Sequence, residues 1–181
     1  MAIDPSVALG ARVLGALVFA SAAGAKLRHR RELAGVVANY RLLPEALAAP
    51  AAWLILALEV LTAASLASGV RLAAGAALAI ALLGAFALAM GVNLARGRRE
   101  IDCGCFQSGL RQRLSVPLLA RNLLIAAALT PLLGAAPGLP GRPLEWIDAF
   151  GVGLAAYALY RVFGELLALR QSAAQLRKRF V

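Results

Sequence analysis

Five long apolar segments, separated by shorter polar connections, form the main pattern along the chain. Each segment holds at least about 19 residues, and at about 1.5 Å per residue such a helix crosses a hydrocarbon layer about 30 Å thick. No water reaches the backbone inside that layer, so each N–H group must find its acceptor within its own segment, which favours an α-helix. The predicted spans are residues 7–25, 46–68, 72–95, 116–136 and 146–169.

The fifth apolar segment carries three charged residues, Asp148, Arg161 and Glu165, which is more than any of the other four segments carries. These charges also fit an amphipathic helix that lies on the membrane surface. However, Arg161 and Glu165 are four residues apart and can pair on one face of a helix, while Asp148 lies beside Trp146, a residue type common at the membrane interface. We therefore expect this segment to span the membrane as well.

The composition agrees with a lipid environment, because 61% of the 181 residues are hydrophobic and only 15% are charged. The sequence predicts an all-α protein, a polytopic membrane helix bundle with four core transmembrane helices and a fifth. In this interpretation residues 1–136 form the four-helix membrane domain, and residues 137–181 hold the fifth helix and a basic tail. Small residues at the end of the first segment, residues 20–25, resemble a signal-peptide cleavage site, but Asp4 and the lack of a preceding cation favour a retained first helix.

The net charge of +10 comes from cations that cluster in alternate connections. Short clusters between apolar segments indicate contact with lipid headgroups and not a nucleic-acid surface. We predict that the protein lies in a bacterial inner membrane. Because cytoplasmic connections are enriched in Lys and Arg, the N-terminus is predicted outside, and the cysteine-bearing connection and the C-terminus are predicted on the cytoplasmic side. The cations that decide this orientation are Lys26, Arg28, Arg30, Arg31, Arg41, Arg96, Arg98, Arg99, Arg111, Arg113, Arg170, Arg177, Lys178 and Arg179.

The two cysteines of the chain, Cys103 and Cys105, flank Gly104 in the connection between the third and fourth segments. Glycine accepts the backbone angles of a tight turn, so the two thiols can close a small disulfide ring. Such a ring is strained, and strained exposed disulfides exchange readily with other thiols. Nearby arginines favour the thiolate form. This pattern predicts a dithiol exchange centre with Cys103 and Cys105 as its catalytic residues.

Two other interpretations of the cysteines stay open. They can be incidental small residues in a turn, in which case the chain is a non-catalytic membrane scaffold that docks a partner subunit. They can also bind Cu(I) with help from His29, because soft thiolates select that ion. One histidine and two cysteines are too few for a closed zinc site with four protein ligands, and the leading interpretation includes no metal.

Glu59 lies deep in the second apolar segment, about 20 Å along the helix from its basic, predicted cytoplasmic end. A carboxylate that faces lipid there costs several kcal/mol, so we expect it to be paired, protonated or turned into the bundle. Arg161, at similar depth, is a candidate partner. The carboxylate serves either a proton-linked or cofactor-contacting step or an internal structural contact. Lys26 and Arg121 lie near helix ends, where we expect their charged groups to reach the membrane interface.

Four elements occur in order over about residues 10–135: Gly24-Ala25-Lys26-Leu27, Tyr40-Arg41-Leu42-Leu43-Pro44, Glu59, and Asp102-Cys103-Gly104-Cys105-Phe106. Together they resemble the methylamine utilisation protein MauE family, within the wider DoxX-like membrane proteins. The cysteine element is the most specific of the four. The resemblance assigns supporting roles to Gly104, Phe106, Glu59 and Lys26. Gln107 departs from the family pattern, which usually continues with glycine.

The resemblance implies a multi-pass inner-membrane protein needed for maturation of methylamine dehydrogenase, whose small subunit is periplasmic and rich in disulfides. It also implies a thioredoxin-like partner of the MauD type, with which the dithiol would exchange electrons. The cation pattern, in contrast, predicts a cytoplasmic dithiol. A relay across the membrane would need a second thiol pair or a bound quinone, and the sequence holds only one cysteine pair and no pattern that supports a quinone or another cofactor.

Overall fold

Helices make up most of the computed structural model, which describes residues 4–104, 112–134 and 143–179, with side chains to residue 176. Five of these helices are long and apolar enough to cross a membrane, which confirms the predicted all-α polytopic bundle. The described helices are α1 (Pro5–Arg28), α2 (Leu33–Asn39), α3 (Glu45–Ser68), α4 (Leu72–Ala95), α5 (Val116–Leu129), a 3₁₀ turn (Thr130–Leu133) and α6 (Pro143–Arg179).

Capping residues stand where the helices begin and end, close to the limits of the apolar segments. The Asp4 carboxylate caps α1 by accepting a hydrogen bond from a backbone N–H two residues later, at 2.8 Å. The third helix, α3, ends at Gly69, whose φ of +75° is the left-handed conformation that ends many helices. Arg12, from α1, donates to the carbonyls of Leu66 and Ala67 and so satisfies the last turn of α3.

Apolar side chains of α1, α3, α4 and α5 meet in a central cluster. Phe19, Leu66 and Leu129 are each no more than 2% exposed within it. Large apolar side chains on the outer helix faces are exposed instead, for example Leu88 at 70% and Leu159 at 71%. Extensive apolar surface on a folded protein marks contact with another apolar phase, and here the spanning helices place it against lipid.

The sixth helix, α6, packs along α1 through small residues. A Cβ added at Gly153 of α6 would lie 2.7 Å from the Cβ of Val13 and 2.9 Å from the carbonyl oxygen of Gly10. Small residues of this kind let membrane helices approach closely. The fifth apolar segment therefore belongs to the bundle, where it lies against the first helix.

The helices depart most from the predicted spans in three places. The short helix α2 lies in the basic connection after α1, where the pattern predicts none. The fourth apolar segment changes to 3₁₀ geometry at Thr130, because Pro131 has no N–H to donate, and residues 135 and 136 lie outside the described part of the chain. The last helix begins at Pro143 and continues to Arg179, since the tail is rich in Ala, Leu, Gln, Arg and Lys, which are strong helix formers.

The basic connections meet at one end of the bundle, here named the basic end. Arg98, after α4, donates to the carbonyls of Asn39 and Tyr40 at the end of α2, at 2.9 and 3.3 Å. The backbone N–H and carbonyl of Arg113, before α5, are both hydrogen-bonded to the side chain of Gln171 in α6. The connections after α1 and α4 and the late turns of α6 therefore lie together, which is the arrangement that five crossings require.

Candidate functional site

The first half of the cysteine element is held by a short antiparallel contact at the basic end. Asp102 and Arg113 face each other in an isolated β-bridge. Next to this bridge, the Cys103 N–H donates to the carbonyl of Gln112 at 2.8 Å. Paired backbone of this kind has a defined register, so the position of Cys103 is set relative to the start of α5.

Further hydrogen bonds fix the turn at Cys103 and Gly104. The Tyr40 hydroxyl donates to the Cys103 carbonyl at 3.1 Å, and the Cys103 Sγ lies 3.5 Å from Oε1 of Gln112. Gly104 has a φ of +73°, and its N–H donates to the Asp102 carboxylate at 3.1 Å. A φ in this range is strained for residues with a Cβ, so the turn depends on glycine.

The short helix α2 closes against this turn. A Cβ added at Gly104 would lie 2.7 Å from Cγ1 of Val36, which leaves no room for a larger residue. The short helix α2, which the apolar pattern does not predict, thus forms one side of the space around the turn at Cys103 and Gly104. Cys105 and Phe106, which complete the cysteine element in the sequence, lie outside the described residues, and the disulfide ring stays a prediction.

A buried ion pair lies deeper in the bundle. The Nζ of Lys26 is 2.7 Å from Oε1 of Glu59, and the two side chains are 12% and 1% exposed. Lys26 also lies over the ring of Phe86, 5.7 Å from its centre. Depth along the helices suggested Arg161 as the partner of Glu59, whereas the structure pairs Glu59 with Lys26 and places Arg161 3.5 Å from Glu165 on its own helix.

Neither Lys26 nor Arg121 extends to the membrane interface, so that expectation is wrong. Lys26 turns inward because a carboxylate as buried as Glu59 needs a nearby positive charge. Arg121 is 8% exposed, and its guanidinium lies 4.6 Å from the centre of the Tyr160 ring. A flat cation gains both dispersion and electrostatic attraction on an aromatic face, which holds Arg121 inside the bundle.

A cavity of about 390 Å³ joins the cysteine turn to the buried ion pair. Its walls are mainly apolar side chains of the spanning helices and of α2. Polar groups from α1, α3, α5 and α6, from Tyr40 after α2 and from the cysteine turn also reach it, so the cavity combines a thiol, an ion pair and a second buried cation. The polar lining residues are Lys26, Tyr40, Glu59, Cys103, Arg121, Asn122 and Tyr160.

Four of the polar residues around the cavity were not predicted as site residues: Tyr40, Arg121, Asn122 and Tyr160. Tyr40 stands in the Tyr-Arg-Leu-Leu-Pro element of the sequence, so the family resemblance already marks its neighbourhood. Arg121 and Tyr160 lie on different helices that meet only in the folded bundle. Nothing in the apolar pattern indicates which faces of two spanning helices meet, and no sequence signal identifies this contact.

Comparisons with known proteins agree with the elements that line this site. The model of the family described as methylamine utilisation protein MauE matches residues 4–134. The chain is 40% identical over 174 residues to the methylamine utilization protein MauE of Methylorubrum extorquens, which covers 95% of this chain and 92% of that protein. It is 38% identical over 183 residues to the protein of the same name in Paracoccus versutus, with 97% of each chain covered.

No solved structure matches the chain. The family model covers most of the chain, including Lys26, Glu59 and the whole cysteine element. The relatives extend the match through nearly all of the remaining residues. The chain therefore belongs to the MauE family of methylamine utilisation proteins.

Proposed function

We propose that this membrane protein serves methylamine utilisation as a redox component, in which Cys103 and Cys105 exchange a disulfide with a protein partner. Its relatives are named as methylamine utilisation proteins. The position of Cys103 is the observation that carries the proposal. Paired backbone holds this cysteine at the end of the bundle, in the lining of a cavity that also contains a buried ion pair.

The exchange proceeds through a mixed disulfide. A partner thiolate attacks the Cys103–Cys105 disulfide and bonds to one sulfur, while the other sulfur leaves as a thiolate that takes up a proton. The second thiol of the partner then attacks the mixed disulfide, which leaves the partner oxidised and the cysteine pair as a dithiol. Two electrons and two protons pass in total from the partner to the cysteine pair.

A polar depression beside the cysteine turn supports contact with a soluble partner. It has a volume of about 490 Å³ and contains arginine and acidic side chains from the connections at the basic end. Arg113 forms an ion pair with Glu100 there. By resemblance, the partner is a thioredoxin-like protein of the MauD type, and the protein that matures is the small subunit of methylamine dehydrogenase.

The first test replaces each cysteine singly with serine. We expect both the Cys103→Ser and the Cys105→Ser variants to lose at least about tenfold in maturation of methylamine dehydrogenase, because one thiol cannot complete the exchange. The measurement is dehydrogenase activity and small-subunit abundance in cells grown on methylamine, with equal membrane levels of each variant. Ser115→Ala, at the start of α5, is a control that leaves both thiols in place. Full maturation with either cysteine variant would favour a scaffold that only docks a partner.

We also propose that the protein lies in the inner membrane of a bacterium, with the basic end in the cytoplasm. The clustering of the connections after α1 and α4 with the late turns of α6 supports this orientation, because Lys and Arg are retained on the cytoplasmic side. By resemblance the small subunit of methylamine dehydrogenase is periplasmic, so in this orientation a further carrier must link it to the cysteine pair. A partner that meets the cysteines directly in the periplasm would require the reverse orientation.

Labelling of the cysteines in intact cells tests this orientation. A membrane-impermeant thiol reagent is expected to label Cys103 and Cys105 only after the cells are opened. A control cysteine, introduced as Ser68→Cys at the opposite end of α3, is expected to react in intact cells. The converse pattern would place the cysteine pair in the periplasm and overturn the orientation.

A further inference from the structure

The cavity between the cysteine turn and the ion pair has the mixed character of a small-molecule site. Its volume of about 390 Å³ falls in the range of about 300–1,000 Å³ that is usual for ligand pockets. Most of its lining is apolar, and a few polar groups converge on it from separate helices. A cavity with this balance favours a ligand that is largely apolar and carries a small number of hydrogen-bond acceptors.

We propose that this cavity binds the ring of a membrane quinone, which accepts the electrons of the Cys103–Cys105 dithiol. The electron-accepting role rests on the proposed exchange function, whereas the binding site rests on the cavity alone. A quinone ring is flat and apolar over most of its surface, and its two carbonyl oxygens accept hydrogen bonds. Its isoprenoid tail keeps it in the bilayer, where the spanning helices carry this cavity.

The buried cations supply suitable donors. Lys26 is 12% exposed and Arg121 is 8% exposed, and both line the cavity together with the amide of Asn122. Donors of this kind suit the carbonyl oxygens of a quinone and also the negative charge that those oxygens gain on reduction. Glu59 contributes a carboxylate to the same lining, which disfavours an anionic headgroup and favours a neutral ring.

The apolar lining also reaches the surface of the bundle. Leu42 and Leu43, between α2 and α3, line the cavity and are 40% and 45% exposed. Exposed apolar lining of this kind suits a lipid-soluble electron carrier better than a water-soluble one.

The electron step balances with the quinone as the oxidant. The S–H bonds of Cys103 and Cys105 break, and an S–S bond forms between the two sulfur atoms. The quinone takes up the two electrons, and its two carbonyl groups become hydroxyl groups by gaining the two protons. The Lys26–Glu59 pair, with 2.7 Å between nitrogen and oxygen, lies in the same cavity and can hold a proton during this transfer.

Binding of decylubiquinone to the purified full-length protein in detergent tests the site. We expect saturable binding of one equivalent, and at least about tenfold weaker binding by Ala89→Phe, which places a ring in the cavity from the half-buried face of α4. Ala81→Phe, at an exposed position of the same helix, is the matched control and is expected to bind as the original protein does. Arg121→Lys is a second cavity variant that keeps the charge but loses the flat guanidinium, and it is expected to bind more weakly.

The same preparation separates the site from the exchange function. The double variant Cys103→Ser/Cys105→Ser is expected to bind decylubiquinone but not to reduce it, whereas the reduced original protein is expected to form one quinol per chain. Binding without quinol formation by the original protein would uphold the site and overturn the electron step. Equal binding by Ala89→Phe and Ala81→Phe, no saturable binding, or binding of oleate in place of the quinone would overturn the site itself.

Discussion

The Lys26→Met variant is expected to lose about 3–5 kcal/mol of its free energy of unfolding, because it removes the ammonium group from beside a deeply buried carboxylate. Glu59 is 1% exposed and lies 2.7 Å from the Lys26 nitrogen, so the pair is shielded from solvent on nearly all sides. Methionine has a similar length and fills the space of the lysine stem, which confines the effect to the charge. Reversible unfolding in mixed detergent micelles measures the loss.

Two further variants isolate the contribution of the pair. Arg28→Met removes an exposed cation from the same helix, two residues away, and is expected to change the unfolding free energy by less than about 0.5 kcal/mol. The double variant Lys26→Met/Glu59→Gln leaves no lone charge and is expected to recover most of the stability that Lys26→Met loses. Similar losses for Lys26→Met and Arg28→Met would contradict a structural role for the buried pair.

The Gly104→Ala variant is expected to open the turn around Cys103. A residue with a Cβ costs about 1–2 kcal/mol in the left-handed conformation, and contact with Val36 adds about 1–3 kcal/mol of overpacking. A cost of this size changes a local opening equilibrium at least about fivefold. In a Cys105→Ser background, the rate at which a thiol reagent modifies Cys103 should rise by at least that factor, and partner exchange by the intact cysteine pair should fall.

Gly97 provides a matched control for Gly104. It has the same φ of +73°, but an added Cβ there meets nothing within 4 Å. Gly97→Ala therefore carries the conformational cost alone, and it is expected to leave the reactivity of Cys103 unchanged. Combining Val36→Ala with Gly104→Ala removes the clash, and the rate at which the reagent modifies Cys103 should return part of the way to that of the original protein. Equal effects of Gly97→Ala and Gly104→Ala would show that the Val36 wall does not hold the turn.

The apolar pattern predicted the spanning helices well because two strong signals coincide in this chain. Long apolar runs require helix in lipid, and turn residues stand directly at their limits, as Pro44 and Gly69 do around α3. The third predicted span, residues 72–95, agrees with α4 at both ends. The short helix α2 was missed because seven residues within a charged connection are too few for a hydropathy signal.

The candidate site was only partly predictable, because sequence gives the depth of a residue along a spanning helix and not the direction in which it points. Glu59 was expected to be paired, protonated or turned into the bundle, and the structure shows it buried and paired with Lys26. The candidate partner, Arg161, lies on the wrong helix, since depth along a spanning helix does not show which face a residue presents. The resemblance marked both Lys26 and Glu59 but did not indicate that they pair. The contact of Arg121 with Tyr160 was unpredictable for the same reason, because it depends on how α5 and α6 pack against each other.

Trapping of a mixed disulfide in cells tests most directly whether Cys103 and Cys105 form an exchange pair. Each single serine variant keeps one thiol, so a disulfide formed with the partner cannot be resolved by its neighbour. We expect a covalent complex with a thioredoxin-like protein that thiol reductant releases and that the double serine variant does not form. Partner binding that is non-covalent and equal in all of these variants would contradict this expectation.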